Sequence, residues 1–258
     1  MPLDLPPVQK LCLPPKPAIV RASSREELRL ASFLPGMFPA GAAATSSKVE
    51  LPTLLTTLVS SLQNPTFTGV NLGAVSPDRI IIVGAANAGG SAHTIDSCTI
   101  NGVTATEHQG ASFDGFRHLA LFSAKVPTGT TGVSISVTQS GAPSTNGLVL
   151  IVLRSVAKSP IASSGINNPL TSGTNISLAQ TVPAGGFGVW FASHRNTGIN
   201  SNTTTWTGSG VTELSDPGIA SQSDFSGAYS ASAGSVTAQA AWLGSDTRCI
   251  VGGVWNPF

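Results

Sequence analysis

From about residue 53 onward, short apolar or alternating segments are separated by turns rich in Gly, Pro, Asn and Ser. Segment 79–83 (RIIIV) is almost continuously apolar, whereas in 133–138 Val and Ile alternate with Ser and Thr. The first pattern is typical of a fully buried strand and the second of a half-buried strand. Asn101-Gly102, between 95–100 and 103–107, is a strong hairpin signal. The sequence therefore predicts an all-β fold, an antiparallel β-sandwich or jelly roll.

Further strands are predicted along the rest of the chain, and one segment is ambiguous. The further predicted strands are 116–126, 148–153, 176–182, 187–192, 203–206, 225–230, 236–242 and 249–254. In 51–62 the leucines fall on helical spacing, but the residues between them are mostly Thr and Ser, which are poor helix formers. We favour a strand near 54–60, with a single amphipathic helix as the alternative.

The first 50 residues differ in composition from the rest. Residues 1–52 hold 9 of the 18 prolines and 6 of the 13 Lys and Arg residues. Proline fixes φ and removes a backbone donor, so this region favours extended ribbon, with one short helix near 24–33 that ends before Pro35. We predict a docking arm over 1–50 and a β-sandwich domain over 51–258. The apolar and proline residues expected to contact a neighbouring protein are Leu11, Pro14, Pro15, Ile19, Phe33, Leu34, Met37 and Phe38.

The charge balance excludes some partners. Only 10% of the residues are charged, against about 25% in ordinary soluble domains, and the formal net charge is +1. No Lys/Arg cluster offers the basic stripe that binding to nucleic acid requires. No run of about 18 apolar residues could span a bilayer, and prolines interrupt any apolar run near the N-terminus. We expect no nucleic-acid partner, no membrane partner and synthesis in the cytoplasm.

The inventory of catalytic residues is small. The sequence has no HExxH, GxSxG, P-loop or CxxC pattern, so we expect no enzymatic activity, no cofactor and no metal. A structural role is the default expectation for each of the four histidines, although the polar loop that begins at His194 favours exposure of that residue. The residues with the strongest case for contacting a ligand are His194 and Arg195, at the start of a polar loop, with Trp206 and Tyr229 as candidate exposed aromatic platforms.

The three cysteines are too few for a disulfide framework. Cys98 and Cys249 lie in strand-like runs and are expected to be buried, free thiols. Cys12 lies in the arm, where we expect a reachable thiol. It is the candidate for an inter-subunit disulfide once the protein leaves the reducing cytoplasm.

Two arm segments resemble the N-terminal arm of structural proteins from tailed phages and prophages of alphaproteobacteria. These segments are 17–21 (PAIVR) and 33–39 (FLPGMFP). Segments 78–83, 99–105, 126–129 and 252–257 resemble one type of β-rich body that follows such arms. The resemblance implies a virion component and does not distinguish head decoration, collar, tail or fibre.

We therefore expect a non-enzymatic structural protein of a bacteriophage virion, assembled in the host cytoplasm. Its expected partners are other virion proteins and further copies of itself, as a homo-oligomer. The alternative is a receptor- or polysaccharide-binding module for host attachment, which would contact a host surface glycan. A glycan hydrolase is a third reading, and nothing in the sequence supplies the paired carboxylates that its mechanism requires.

Overall fold

The structure is a computed structural model, and it describes most of the chain after residue 52. The described residues are 53–60, 62–89, 93–113, 115, 117–141, 145–153, 160–195, 204–216, 218–220 and 223–257. The predicted docking arm, its eight contact residues, Cys12, the helix predicted at 24–33 and the domain boundary at residue 50 lie outside the described residues. Those parts stay predictions.

Every regular element in the described ranges is a β-strand. The strands are β1 (Thr53–Ser60), β2 (Thr66–Val70), β3 (Ile80–Ala88), β4 (Thr94–Ile100), β5 (Val103–Thr104), β6 (Thr106–Phe113), β7 (Arg117–Lys125), β8 (Val133–Ser140), β9 (Thr145–Leu153), β10 (Ala162–Val182), β11 (Phe187–Arg195), β12 (Thr205–Thr207), β13 (Thr212–Ser215), β14 (Gly218–Ala220), β15 (Ser223–Ser230) and β16 (Gly234–Trp255). No helix in the described ranges is long and apolar enough to cross a membrane.

The strands form three antiparallel sheets. A central sheet has the order β1-β9-β3-β7-β6, and an outer sheet has the order β2-β8-β4-β5. A curled sheet has the order β10-β16-β11-β15-β13, with β12 paired to β16 and β14 paired to β15. The all-β, antiparallel, sandwich-like prediction is confirmed. The strand order does not establish the jelly-roll arrangement.

The central sheet is covered on both faces by the other two sheets. Ile81 and Val83 of β3 pack in a cluster with outer-sheet residues, whereas Ile80 and Ile82 pack in a cluster with curled-sheet residues. All nine residues of β3 are buried, which explains the continuous apolar run at 79–83. Strand β8 of the outer sheet has one wet face, and its burial alternates from residue to residue, as predicted.

The curled sheet folds over a third hydrophobic cluster of its own. Strand β16 pairs with β10 along most of its length, and this pairing is interrupted between Ala241 and Asp246. Its first half also pairs with β12 and its second half with β11. Because Val236 from the first half and Ile250 from the second half share one cluster, the sheet nearly closes into a barrel.

Local sequence chemistry explains the tightest turn. Asn101 and Gly102 join β4 to β5 with φ angles of 52° and 76°, so both central residues are left-handed. That is the requirement of a type I′ hairpin, and the hairpin prediction is confirmed. The strand predicted near 54–60 is also confirmed as β1. The two strands predicted at 236–242 and 249–254 are instead one long strand, β16, which is a correction.

A buried arginine fastens the loops at one end of the central sheet. The Arg79 side chain is fully buried, and its guanidinium donates to six backbone carbonyl oxygens at 2.7–3.0 Å. The acceptors belong to the segments 72–74 and 126–129. The planar guanidinium has five N–H donors in a fixed arrangement that suits this cage of carbonyl oxygens. The single ammonium group of a lysine could not reach all six.

Candidate functional site at the end of the curled sheet

A polar row crosses three neighbouring strands of the curled sheet. His194 of β11 lies opposite Arg248 of β16 on one side and opposite Asp224 of β15 on the other. Along β11, Trp190 and Ala192 belong to the inner cluster of the curled sheet. Because side chains alternate along a strand, His194 faces the same interior. The row therefore closes one end of the interior with three polar side chains.

His194 is almost completely enclosed. It is 1% exposed, and its ring stacks on that of Trp242 with centroids 4.8 Å apart and planes 15° apart. Its Nδ1 lies 3.8 Å from Oδ2 of Asp224, which is longer than a hydrogen bond. Neither ring nitrogen has a hydrogen-bond partner, and neither do Oδ2 of Asp224 and Nε1 of Trp242. Buried polar atoms are rarely left in this condition, so this end of the sheet is not satisfied by its own side chains.

A second carboxylate lies close to this row. Asp216 accepts the backbone N–H of Thr204 at 2.6 Å and the hydroxyl of Thr204 at 3.1 Å. Burial raises the pKa of Asp216 to about 6, against the lowering effect of these hydrogen bonds, and the charges of Glu213 and Asp224 raise it further. Burial also raises the pKa of Glu213. Asp216 and Asp224 are therefore interacting carboxyl groups, and Asp224 faces His194.

The cationic side of the row is held by backbone oxygens. Arg248 is 9% exposed and donates to the carbonyl oxygens of Asn175 and Asp246. Burial lowers the pKa of Arg248. The neighbouring Arg195 lies 3.8 Å from the carboxylate of Asp246, and its side chain is 41% exposed. Neither arginine donates a hydrogen bond to the ring of His194.

The predicted ligand-contact residues are not brought together on one surface. Trp206 is 8% exposed, and its indole N–H donates to the hydroxyl of Ser226 at 2.6 Å. The expectation of an exposed platform at Trp206 is wrong, because the curled sheet encloses the ring in its inner cluster. The exposure expected for His194 is wrong for the same reason. Tyr229 is half-buried and stacks on Phe187, with centroids 5.3 Å apart, on the opposite face of the sheet. Only Arg195 presents much of its side chain to solvent.

The remaining histidines and cysteines have structural positions. His118 accepts the backbone N–H of Ile95 at its Nδ1, 3.2 Å away. Burial and the charge of His93 lower the pKa of His118 to about 4, and the charge of Asp96 opposes them. Cys98 is a buried free thiol and Cys249 is buried, as predicted. Burial raises the pKa of Cys98 to about 12.

The geometry of the polar row limits the chemistry open to it. Within the described ranges, no group of three or more His, Cys, Asp and Glu side chains could hold a metal ion. Because neither ring nitrogen of His194 has a hydrogen-bond partner, His194 does not form the hydroxyl–imidazole pair of a hydrolase. The ionisable group that faces Nδ1 of His194 is the carboxylate of Asp224, 3.8 Å away.

Sequence reasoning missed Asp224, Trp242 and Arg248 as neighbours of His194. Their proximity to His194 depends on the register between strands that are far apart in sequence, and the residues next to His194 do not indicate that register. One signal was available: Trp190, Ala192 and His194 continue a single alternation, so they were bound to share a face if β11 extended beyond residue 192.

Comparison of the chain with protein-family models, curated proteins and solved structures finds no match. The fold and the site define an all-β body in which a polar row closes one end of the curled sheet.

Proposed function

We propose that the chain is a non-enzymatic structural component of a tailed-bacteriophage virion, anchored to neighbouring virion proteins by residues 1–50. The observation that carries the proposal is the composition of the arm, because residues 1–52 hold 9 of the 18 prolines and 6 of the 13 Lys and Arg residues. The arm carries large apolar residues of its own, including Phe33, Leu34 and Phe38.

The free energy for anchoring would come from those arm residues. Burial of apolar surface contributes about 25 cal/mol per Å², less the cost of ordering a segment that folds on binding. Proline reduces that cost, because it restricts the free arm to fewer conformations before docking. An apolar, proline-stiffened arm is therefore suited to bind along another protein.

The surface of the body supports close packing of copies. Thr66, Ser136, Thr99 and Thr104 are register neighbours across the four strands of the outer sheet. These hydroxyl side chains are exposed or half-buried and carry no charge. With 10% charged residues overall, neighbouring copies would experience little like-charge repulsion.

The experiment measures how much of the protein is incorporated into phage particles that the strain carrying the gene produces. Particles are purified from lysates in which the full chain is replaced by residues 49–258, or by the double variant Phe33→Asp, Leu34→Asp. We expect both proteins to remain soluble, with thermal unfolding like that of the full chain, and to be absent from particles by mass spectrometry. Incorporation at the stoichiometry of the full chain would overturn the docking role.

A matched control separates loss of apolar contact from added charge. Ser46→Asp, Ser47→Asp introduces the same two charges into the arm without removing an apolar side chain. This variant should enter particles at the level of the full chain. If it is also excluded, charge alone disturbs assembly, and the apolar-docking explanation fails.

The receptor-binding alternative has lost its main support, because Trp206 is buried. The candidate contact residues that remain for this alternative are Arg195 and Tyr229. A glycan array with the full chain should give no saturable binding. Saturable binding that Arg195→Ala abolishes would favour adhesion over a purely structural role.

A further inference from the structure

We propose that His194 is a proton-operated latch, which ties β11 to β15 at the polar end of the curled sheet when it is protonated. The geometry is already close to that of an ion pair. Nδ1 of His194 is 3.8 Å from Oδ2 of Asp224, and both atoms are buried without a hydrogen-bond partner. A solvent proton on His194 gives both ring nitrogens an N–H, and a small shift then makes a charge-assisted hydrogen bond to Asp224.

When His194 is neutral, the buried polar atoms of His194 and Asp224 have no hydrogen-bond partner, which lowers the stability of the fold. Protonation of His194 removes this penalty. A buried carboxylate oxygen without a donor loses its hydration without compensation. In the neutral ring one nitrogen is a donor and the other an acceptor, and in this structure neither is used. Because protonation satisfies His194 and Asp224 at once, the latch closes as the pH falls.

Both negative and positive groups surround His194, and their balance determines whether the latch closes as the pH falls. Asp224 faces it from β15. Asp216, which interacts with Asp224, follows β13, and Glu213, which interacts with Asp216, lies within β13. Arg248 faces it from β16, but its guanidinium donates to backbone carbonyls of Asn175 and Asp246. Arg195 on β11 is paired with Asp246 of β16. The described parts of β10 and β12 contribute no ionisable side chain.

The contacts of Trp242 provide a built-in reporter. Its ring stacks on that of His194 at a centroid separation of 4.8 Å. The ring current of the indole should shift the imidazole protons of His194 upfield. His108 also lies near an indole, but its ring is 6.3 Å from that of Trp255 in an edge arrangement, so the larger upfield shift identifies His194 in the spectrum of the unaltered full chain.

The test compares thermal unfolding at about pH 5.5 and about pH 8, a range in which histidine changes charge. The full chain is compared with His194→Gln and Asp224→Asn. We expect the Tm advantage of the unaltered protein over either variant to be several degrees larger at the acidic pH. An advantage that is equal at both pH values, or larger at the alkaline pH, would overturn the latch.

His108→Gln is the matched control, because it should respond with the opposite sign. His108 is half-buried, its Nε2 lies 2.7 Å from the hydroxyl of Ser123, and burial lowers its pKa. The unaltered protein therefore loses stability at His108 when the pH falls, and the advantage over His108→Gln should shrink at the acidic pH.

A second measurement uses no variant, so it stands even if His194→Gln does not fold. In the histidine ¹³C spectrum of the full chain, the upfield-shifted imidazole should titrate as one step between about pH 5 and 8. A resonance that stays at the chemical shift of a neutral imidazole over this range would show that His194 takes up no proton, as expected if an ordered water bridges His194 and Asp224 at every pH. That result overturns the proposal.

Discussion

Nε of Arg79 donates to the carbonyl oxygen of Val126 at 2.8 Å, which joins the start of β3 to the end of β7. The backbone N–H of Val126 returns a hydrogen bond to the carbonyl oxygen of Arg79 at 3.1 Å. The two residues therefore close the central sheet at the end where β3 begins, and the rest of the guanidinium fastens the two adjoining loops.

Replacement of Arg79 by Met should destabilise the body severely. The change removes the donors from six backbone carbonyl oxygens in a fully buried site. The expected loss in the free energy of unfolding is about 3–5 kcal/mol, the range for breaking a buried charged network. Urea unfolding followed by far-UV circular dichroism measures it.

Lys125→Gln serves as the control for loss of a positive charge near the same loops. Lys125 is an exposed residue at the end of β7, so its replacement should change the free energy of unfolding by less than about 0.5 kcal/mol. Equal losses in the two variants would mean that net charge, rather than the carbonyl cage, is responsible.

Gly84 is required by the packing of the curled sheet on the central sheet. A Cβ at Gly84 would lie 2.4–2.6 Å from ring atoms of Phe191. Gly84→Ala should therefore lower the free energy of unfolding by about 1–3 kcal/mol through overpacking. A double-mutant cycle with Phe191→Leu measures the cause, because the smaller side chain should reduce the penalty of Gly84→Ala. Strictly additive effects would contradict the clash.

The features predicted correctly depend on neighbours in sequence. The Asn101-Gly102 hairpin follows from the left-handed φ that both residues tolerate, and the alternation in β8 follows from one buried face. In the same way, Thr and Ser between the leucines of 54–60 favoured β1 over a helix.

The features missed depend on residues far apart in sequence. Segment 243–248 (LGSDTR) separates the two strands predicted at 236–242 and 249–254. In the structure β16 runs through this segment, and its pairing with β10, which is interrupted after Ala241, resumes at Asp246. His194 borders a polar segment, so its sequence context suggested exposure. Its burial depends on Trp242 and Asp224, which only the register of the curled sheet brings into place.

The described cysteines should be inert in the native protein. Cys98 and Cys249 are buried, and the pKa of Cys98 is raised to about 12, so little thiolate forms at about pH 8. Ellman's reagent should titrate all three cysteines in urea, but only Cys12 in the native chain. In Cys12→Ser the fast native reaction should disappear. Fast labelling that persists in this variant would contradict the burial of Cys98 and Cys249.

Cys12 should also control any disulfide between subunits. On a non-reducing gel of air-oxidised protein, we expect a dimer band that Cys12→Ser abolishes, since the other two thiols are buried. A dimer band in Cys12→Ser would show that a buried thiol becomes accessible.

His118 should make the body less stable in acid. Burial holds the pKa of His118 near 4 rather than 6.5, so the unfolded chain takes up this proton first as the pH falls. The stability that depends on neutral His118 is fully present above about pH 6.5 and is lost as the pH falls towards about 4. The cost of protonation is about 3 kcal/mol, and it includes the hydrogen bond that Nδ1 accepts from Ile95.

Urea unfolding of the full chain and of His118→Gln at about pH 7, 6 and 5 measures this effect. The glutamine is not protonated, so the free energy of unfolding of the variant should fall less towards acid than that of the unaltered protein. The sign is opposite to the one proposed for His194, because His118 already has a hydrogen-bond donor directed at its Nδ1, whereas Nδ1 of His194 has no partner and faces a carboxylate. The pH dependence of stability therefore compares two buried imidazoles, one that accepts a hydrogen bond at Nδ1 and one that faces a carboxylate. If the acid slope is the same in His118→Gln, the neutral imidazole of His118 does not contribute to the acid sensitivity of the fold.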